Sequence, residues 1–526
     1  MFRPYCDAAT GRNGALDLLL PCLPGNRPMT AELVWFKRDL RVTDHSPLVA
    51  AARRGEVICL YIYEPDLIGA DDFSKRHLLF INDSLTELDR DLRRLGSRLL
   101  IRRGDAVDVI SGLQAETGFH CIRAHQETTN ALSYQRDRAV KKWARSAGID
   151  FIEYRQQGVV RAMTGRDGWA RQWQAFVTSP LVSRPGQIID GATGLSGAGV
   201  RSPQSFALKD DGLISRQTGG ESEAIKILNS FLSDRSRDYL QGLSSPLTAW
   251  DSCSRLSPYL TYGNISLRTV YQRVSQRKRE LQRQRGQRDP WNQSLSNYAE
   301  RLAWHCHFMQ KLEDEPAIEF DNMNPAFDGL REDEFNPDYF EAWATGRTGY
   351  PLIDACMRAL QQTGWINFRM RAMLISFASY HLWLHWRKPA LHLARLFTDY
   401  EPGIHYSQIQ MQAGTTGISA LRIYSPIKQV LDQDPEGLFI RQWVPELTNV
   451  PDGFIAEPHR MPVPVQQQSG CIIDHDYPAP IVDHLSAYRA AQKRMRAANL
   501  AAKTSGASTR VFQRHGSRRN QSRRLI

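Results

Sequence analysis

Two patterns of apolar residues divide this chain into two regions. Between residues 30 and 160, short runs rich in β-branched and aromatic residues alternate with segments whose apolar residues recur every three or four positions. The strand-like runs are 31–36, 56–63, 98–101, 120–123 and 150–154. Strands that alternate with helices form a parallel sheet with helices on both faces. The pattern therefore predicts an α/β domain at 30–160 with a doubly wound parallel sheet about five strands wide, whose ligands bind beyond the carboxyl ends of the strands.

The apolar spacing changes after residue 221. From 222 to 460 it is helical almost throughout, which predicts a second, all-helical domain. Residues 161–221, between the two regions, are rich in Gly, Ser, Pro and Gln, and 191–199 is the clearest example. Such a composition is typical of a linker.

The two ends of the chain differ from its body. Residues 1–29 lack the order of charged and apolar segments that marks a secretory signal, and we expect either an N-terminal extension or a region upstream of a true start at Met29. Residues 461–526 are predicted to be a basic, flexible tail. From Leu485 onward the chain has no acidic residue and eleven cations: Arg489, Lys493, Arg494, Arg496, Lys503, Arg510, Arg514, Arg518, Arg519, Arg523 and Arg524. Since the net charge is +11, residues 1–484 are formally neutral, so any attraction to a polyanion would come from the tail; a solvated tail without a partner is the alternative.

The sequence does not indicate a membrane protein or a metal-binding protein. The apolar runs are interrupted by charged residues before they reach the ~18–20 residues that cross a bilayer, and we expect a cytoplasmic monomer with no membrane partner. The eight cysteines have no CxxC spacing, which is typical of buried free thiols in a reducing compartment. No metal is predicted. The alternatives are a cluster held by Cys253, Cys306, Cys356 and Cys471, or zinc within 304–308.

Two motifs point to a site that binds phosphate groups. Residues 33–42 form a strand that runs into a loop with three cations and one acid. Residues 254–266, Ser-Arg-Leu-Ser-Pro-Tyr-Leu-Thr-Tyr-Gly-Asn-Ile-Ser, form a hydroxyl-rich entry to a helix, which can offer backbone N–H groups and Ser Oγ to a phosphate. Helix capping explains the second motif equally well.

With these motifs the chain resembles the photolyase/cryptochrome family. The most specific stretch is Gly346-Arg-Thr-Gly-Tyr-Pro-Leu-Ile-Asp-Ala-Cys-Met-Arg-Ala-Leu-Gln-Gln-Thr-Gly-Trp365, and 369–377, 422–426 and 439–447 follow it in family order. The resemblance runs from Leu33 to Leu447 and identifies a divergent, bacterial-type member. It implies an N-terminal α/β antenna domain and a C-terminal helical domain that binds FAD.

The resemblance also implies the cofactor-binding residues. They are Tyr239, Cys253, Ser254, Arg255, Leu256, Ser257, Trp304, Arg371, Asp399, Tyr400, Glu401 and His405. The segment 253–257 would wrap the FAD phosphates, where helix-terminal N–H groups suit a diphosphate. Arg371 and Asp399 would flank the isoalloxazine as a stiff bidentate pair, with a purely structural ion pair as the alternative. His405 would lie nearest flavin N5.

The implied substrate-binding residues are Trp365, Asn367, Phe368 and Met411. Trp365 would be an aromatic wall on which a flipped-out pyrimidine dimer stacks, and photolyases are themselves among the enzymes known to extrude a base. Basic residues between Arg273 and Arg288 would add sequence-independent contacts with DNA phosphates. A solvated helix face is the alternative for this basic cluster.

The chain departs from the family pattern around the flavin. Residues 405–411, His-Tyr-Ser-Gln-Ile-Gln-Met, replace the family's Asn-Asn-Gly-Gly-Trp-Gln-Trp, so the resemblance places Ile409 at the innermost tryptophan of its electron-transfer chain. The outermost tryptophan falls near Asp333, and Trp386 retains the middle one. Phe377, Tyr380, Trp383 and Trp386 recur every three residues and predict an aromatic stripe on one helix. The predicted catalytic residues are therefore Trp386, Trp383, Tyr380 and His405. Core packing is the alternative for the stripe, and Tyr400 or Tyr406 would offer a different electron route.

The predicted function is that of a blue-light-driven DNA photolyase that splits UV-induced pyrimidine dimers with FAD. An antenna chromophore, either a folate or a deazaflavin, would bind near Glu127 and Thr128. One alternative is a cryptochrome-type photoreceptor of the same fold with little or no repair activity. Another is a nucleic-acid-binding flavoprotein without photochemistry, because a fold alone does not fix an activity.

Overall fold

The parallel sheet lies in the first domain. The computed structural model describes residues 31–286 and 289–517. Its main strands are β1 (Glu32–Phe36), β2 (Glu56–Tyr63), β3 (Leu99–Arg103), β4 (Cys121–His125) and β5 (Asp150–Tyr154). They pair in parallel in the order 3-2-1-4-5, and a short strand β6 (Ile189–Asp190) pairs with β2. The predicted α/β sheet is confirmed, and the order reverses between β1 and β4, where such sheets bind ligands.

Helices cover both faces of this sheet. They are α1 (Ser46–Ala52), α2 (Pro65–Ile68), α3 (Lys75–Arg94), α4 (Ala106–Thr117) and α5 (Ala131–Ser146). Helix α3 buries the leucines at positions 78, 85, 88 and 92, so the stripe predicted from the sequence faces the core. Helix α4 begins at Asp105, whose carboxylate accepts the backbone N–H of Val107, and ends at Gly118 in the left-handed region.

The second domain is helical, as the spacing predicts. After α6 (Trp169–Thr178), its helices are α7 (Glu221–Ser233), α8 (Tyr239–Gly242), α9 (Ala249–Ser252), α10 (Ser257–Thr261), α11 (Leu267–Arg285), α12 (Pro290–Asp314), α13 (Pro337–Thr345), α14 (Pro351–Thr363), α15 (Phe368–Ser376), α16 (Arg387–Leu396), α17 (Pro402–Ala413), α18 (Pro426–Gln433) and α19 (Leu438–Trp443). One apolar cluster runs from the sheet residues Val34 and Phe36 to Tyr259 and Leu295. The two domains therefore share a core. In the described part of the chain, no helix has the length and apolarity of a membrane span.

The predicted linker contains regular structure. Residues 161–221 supply α6 and the sheet strand β6. The C-terminal part of this segment is also held in place by the buried guanidinium of Arg76. This group donates to Asp211 at 2.8 Å and to the Leu396 carbonyl of the helical domain at 2.7 Å. A two-residue strand has no periodicity to detect, and glycines such as Gly191 pack closely against Ala31 and Val57. At Gly191 the small residue thus permits a close approach to the sheet.

The predicted flexible tail is largely wrong, because the chain after residue 460 folds onto the helical domain. It forms α20 (Val463–Ser469), α21 (His484–Thr504) and α22 (Ala507–His515). Ala491, Met495 and Ala502 lie on one face of α21 and are buried against Tyr380. These buried apolar residues recur at helical spacing, and their packing holds α21 on the domain although the helix also carries several cations. The expected extension 1–29 and the last residues, 518–526, lie outside the described residues.

Candidate functional site

A deep cleft opens between the helices of the second domain. Its volume is about 1470 Å³, including its open mouth. Fourteen of the predicted residues line it: Tyr239, Cys253, Ser254, Arg255, Ser257, Trp304, Trp365, Asn367, Phe368, Arg371, Asp399, Tyr400, Glu401 and His405. Segments far apart in the chain thus meet at one cavity, which is large enough for an extended cofactor.

Two of the predicted cofactor- and substrate-binding residues do not line the cleft. Leu256 is fully buried in the core beneath the hydroxyl-rich segment, which leaves its neighbours to face the cavity. Met411 lies on a different side of α17, because His405, Gln408 and Gln412 follow the helical spacing that faces the cleft. Met411 is therefore not among the residues that line the cleft.

Arg371 and Asp399 form a bidentate ion pair at the cleft wall. Arg371 Nη1 and Nη2 each donate to a different Asp399 oxygen at 2.9 Å. Arg371 Nε also donates to the Ile366 carbonyl at 2.8 Å, and its guanidinium lies 4.0 Å from the ring centroid of Phe397. These contacts fix the orientation of the pair.

The cationic loop after β1 reaches the cleft from the other domain. Arg38 donates to Glu401 Oε2 at 3.2 Å and to the Tyr400 carbonyl at 3.1 Å. Gly263, with φ of +67°, permits this close approach, since a Cβ there would lie 2.2 Å from the Arg38 carbonyl oxygen. Burial raises the pKa of Glu401 to about 7, although Arg38 opposes the shift, so this carboxyl can carry a proton near neutrality.

His405 has a fixed tautomer. Its Nε2 faces the Ala390 carbonyl oxygen at 2.9 Å and must therefore donate. Burial lowers the pKa of His405 to about 4, so the ring is neutral and Nδ1 is a bare acceptor. His405 lines the cleft, but one of its nitrogens is committed to the protein.

Several polar atoms of the cleft lack a protein partner. They are both side-chain polar atoms of Gln408, Glu401 Oε1, Asn367 Oδ1 and Arg255 Nε. Buried polar atoms without partners are rare, and water, an ion or a ligand can satisfy them. The cleft brings donors and acceptors together, which is what a cofactor with polar groups of both kinds, such as FAD, requires. The residues present therefore fit this cofactor.

The predicted aromatic stripe is not on one helix. Helix α15 ends at Ser376, a π-helical turn spans Phe377–His381, and Trp386 precedes α16. Tyr380 and Trp383 belong to a separate cluster with Met495, away from the residues that line the cleft. The π-turn and the positive φ of Trp383, +52°, break the three-residue repeat.

Two tyrosines lie between Trp386 and the cleft. Its ring centroid lies 6.3 Å from that of Tyr406, and the Tyr406 and Tyr400 hydroxyl oxygens are 3.2 Å apart. Tyr400 itself lines the cleft. The alternative route through Tyr400 and Tyr406 therefore connects Trp386 to the cleft by direct contacts.

A second cavity of about 840 Å³ lies at the carboxyl ends of the strands. Glu127 lines it together with Lys37, Arg38 and Arg136, whereas Thr128 lines a neighbouring pocket. Lys37 donates to Asp137 at 2.7 Å, and Arg136 pairs with Glu64 and Glu127. This is the place where a sheet of this topology binds a ligand.

The four cysteines and the residues of 304–308 are not arranged as a group of metal ligands in the described part of the chain. His305 lines the cleft, while His307 Nδ1 accepts from Arg166 at 2.7 Å, so the two point apart. The one group with ligand-like spacing in 31–286 and 289–517 is Asp39 with His45 and His125. His45 Nδ1 accepts the Leu48 N–H, so Nε2 carries the proton and donates to Asp39. Coordination through Nε2 would break this arrangement.

Several cleft residues escaped sequence reasoning. Besides Gln408 and Gln412, they include Tyr298, Arg301 and His305 on α12. The signal that would have found them is helical spacing from a known neighbour, since 298, 301, 305 and 308 share one face.

Comparisons with known proteins agree with this geometry. Residues 298–497 match the FAD binding domain of DNA photolyase, and 32–175 match the DNA photolyase domain. Deoxyribodipyrimidine photo-lyase of Streptomyces griseus is 30% identical over 86% of this chain and 97% of its own. Cryptochrome-1 of Aedes aegypti is 26% identical over 87% and 91%.

Solved structures give the same result. A class III photolyase from Agrobacterium tumefaciens superimposes with a TM-score of 0.77 and 25% identity over 90% of this chain and 99% of its own. A cryptochrome from Synechocystis sp. PCC6803 superimposes with a TM-score of 0.78 and 25% identity over 89% and 99%.

Proposed function

This chain belongs to the photolyase/cryptochrome family, and on that premise we propose that it is a blue-light-driven DNA photolyase that splits UV-induced pyrimidine dimers. The proposal rests on two exposed aromatic side chains at the mouth of the cleft. Trp304 and Phe368 line it with 42% and 45% of their surfaces exposed. Exposed aromatic rings beside a cofactor cleft suit the stacking of an extruded base.

The chain's own residues would hold and orient the cofactor. Bound FAD would supply light absorption and electron transfer to the dimer. Ser254 and Ser257 offer hydroxyls to its phosphates, and the Arg371–Asp399 pair braces one side of its ring system. Gln408 offers an amide with both ends unpartnered.

We propose that the second cavity receives an antenna chromophore, a folate or a deazaflavin. It adjoins the cleft, since Tyr400 lines both cavities. An archaeal photolyase from Sulfolobus tokodaii, 28% identical with a TM-score of 0.70, has a crystal structure with two FAD molecules that implies a novel light-harvesting cofactor in that protein. A second chromophore beside the catalytic flavin therefore has a precedent among the structural relatives of this chain.

DNA is the proposed partner, bound by a monomer in the cytoplasm. In the basic cluster of α11, Arg273 donates to Asn229 and Arg277 lies over the Trp291 ring, so these two cations also serve the fold. Arg279 and Arg283 are exposed and remain the better candidates for phosphate contacts. Arg288 lies outside the described residues.

A cryptochrome-type photoreceptor is the second candidate, because Cryptochrome-1 of Aedes aegypti aligns over nearly the same length as the photo-lyase. The deciding experiment is a repair assay. The purified protein is illuminated with blue light together with oligonucleotides that carry either a cyclobutane dimer or a six-four product, with dark reactions and Trp365→Ala as controls. Light-dependent repair that Trp365→Ala abolishes is expected. Repair of neither lesion by a flavin-loaded protein would favour the photoreceptor.

A further inference from the structure

Arg255 lies in a corner formed by two indole rings. Its guanidinium carbon is 4.4 Å from the ring centroid of Trp250 and 4.0 Å from that of Trp365. The two rings are 5.0 Å apart and nearly perpendicular, at 68°. Arg255 and Trp365 line the cleft, while Trp250 supports them from α9. A planar cation stacked on indoles extends the aromatic surface of the wall.

The backbone of Arg255 is held in an unfavourable conformation. Its φ is +59°, in the left-handed region that residues other than glycine rarely adopt. Gln217 clamps it from outside the helical domain, donating from Nε2 to the Arg255 carbonyl at 2.9 Å and accepting from Nη2 at 3.1 Å. Strain of this kind persists where the surroundings over-determine a residue, and it concentrates at ligand sites.

The guanidinium lacks an anionic partner among the described residues. Its Nε is buried without a hydrogen-bond acceptor. Burial lowers the pKa of Arg255 to about 10, and Asp399 offsets the shift only in part. A buried cation that makes one side-chain hydrogen bond to an amide is costly unless a ligand supplies an acceptor.

We propose that Trp250 and Arg255 complete, with Trp365, a subsite for one pyrimidine nucleotide of the extruded dimer. The base stacks on the surface formed by indole and guanidinium, and the guanidinium of Arg255, which lines the cleft, donates to the phosphate of that nucleotide. This deepens the proposed function and rests on it. The FAD diphosphate offers the same phosphate chemistry, but Arg255 is stacked on Trp365, the predicted substrate wall, which favours the DNA phosphate.

The test compares affinities of the FAD-loaded protein for oligonucleotides with and without a dimer, measured in the dark at several salt concentrations. Arg255→Gln and Trp250→Leu are expected to lower the ratio of lesion to undamaged affinity about tenfold, in the range of one lost stacking contact. Trp250→Phe retains a ring and should retain most of the discrimination. Two controls are matched: Leu247→Ala changes an exposed residue two positions before α9, and Arg53→Gln removes an exposed charge at the end of α1, away from the residues that line the cleft.

The two phosphate sources are separated by measuring FAD affinity in the same variants through flavin fluorescence. An unchanged FAD affinity with lost discrimination supports the subsite. A loss of FAD affinity in Arg255→Gln would assign the guanidinium to the cofactor diphosphate and overturn the proposal. Unchanged discrimination in both variants would also overturn it, whereas absence of discrimination and of repair in the unmodified protein would overturn the proposed function itself.

Discussion

The Arg371–Asp399 pair can be tested from either side, and the two sides are not equivalent. The Asp399 side chain is 4% exposed and the Arg371 side chain is 24% exposed. Replacing Asp399 by Asn leaves a guanidinium that reaches solvent and keeps the Ile366 carbonyl and the Phe397 ring. Replacing Arg371 by Met instead leaves a buried carboxylate whose two oxygens lose both donors.

The expected magnitudes follow from this difference. Breaking a fully buried ion pair from one side costs about 3–5 kcal/mol, because an uncompensated charge remains. We expect Arg371→Met to fall in that range. Asp399→Asn should cost about 1–3 kcal/mol, closer to the loss of charged hydrogen bonds at a partly solvated site.

The assay is urea unfolding followed by far-UV circular dichroism, with and without added FAD, together with FAD affinity from flavin fluorescence. Glu446→Gln, which removes the partner of Arg358 in a more exposed pair, is the matched control and should cost at most about 1 kcal/mol. Equal costs for the two variants would refute the burial argument. Full stability and full FAD affinity in both would remove the pair from the cofactor site.

Four further outcomes are expected. Between pH 4.5 and about 7 the folded Glu401 keeps a proton that the unfolded chain releases, so stability should fall as pH rises through this window, and Glu401→Gln should flatten that fall in pH-dependent unfolding. Gln408→Leu should weaken FAD binding about tenfold in fluorescence titration, because the amide ends lack other partners. Met495→Ala should lower the free energy of unfolding by about 2–5 kcal/mol, whereas a flexible tail would show no change. Photoreduction under steady blue light with an external reductant should slow in Trp386→Phe and remain unchanged in Trp383→Phe, and the reverse pattern would contradict the tyrosine route.

The fold was predictable where residue patterns repeat over several positions. The leucine stripe of α3 carries its period in the sequence and the run 56–63 is a continuous β-branched and aromatic segment, and both are elements of the structure. Strand β6 has two residues and no period, and its pairing with β2 depends on the packing of distant segments. The C-terminal helix α21 was missed because charge counting obscured its small buried residues.

Residues of the site could be predicted where they belong to a sequence motif of the family. The 253–257 segment, Arg371 and Asp399 come from such motifs and line one cleft, apart from Leu256. Trp383 was assigned from spacing alone, and a π-turn that no pattern announces moved it out of register. Gln408 gave no signal, because a glutamine on a helix is usually solvated and only its unpartnered amide atoms single it out.

The wall between the two cavities would join light absorption to chemistry. Tyr400 donates its hydroxyl to Asp72 at 2.7 Å, and Glu401 accepts from Arg38 at 3.2 Å. Asp72 and Arg38 line the cavity at the sheet, Glu401 lines the helical cleft, and Tyr400 lines both. A ligand that moves either partner in the first cavity therefore changes the hydrogen bonding of a residue in the second. These buried contacts therefore couple the site proposed for the antenna chromophore to the site proposed for the cofactor.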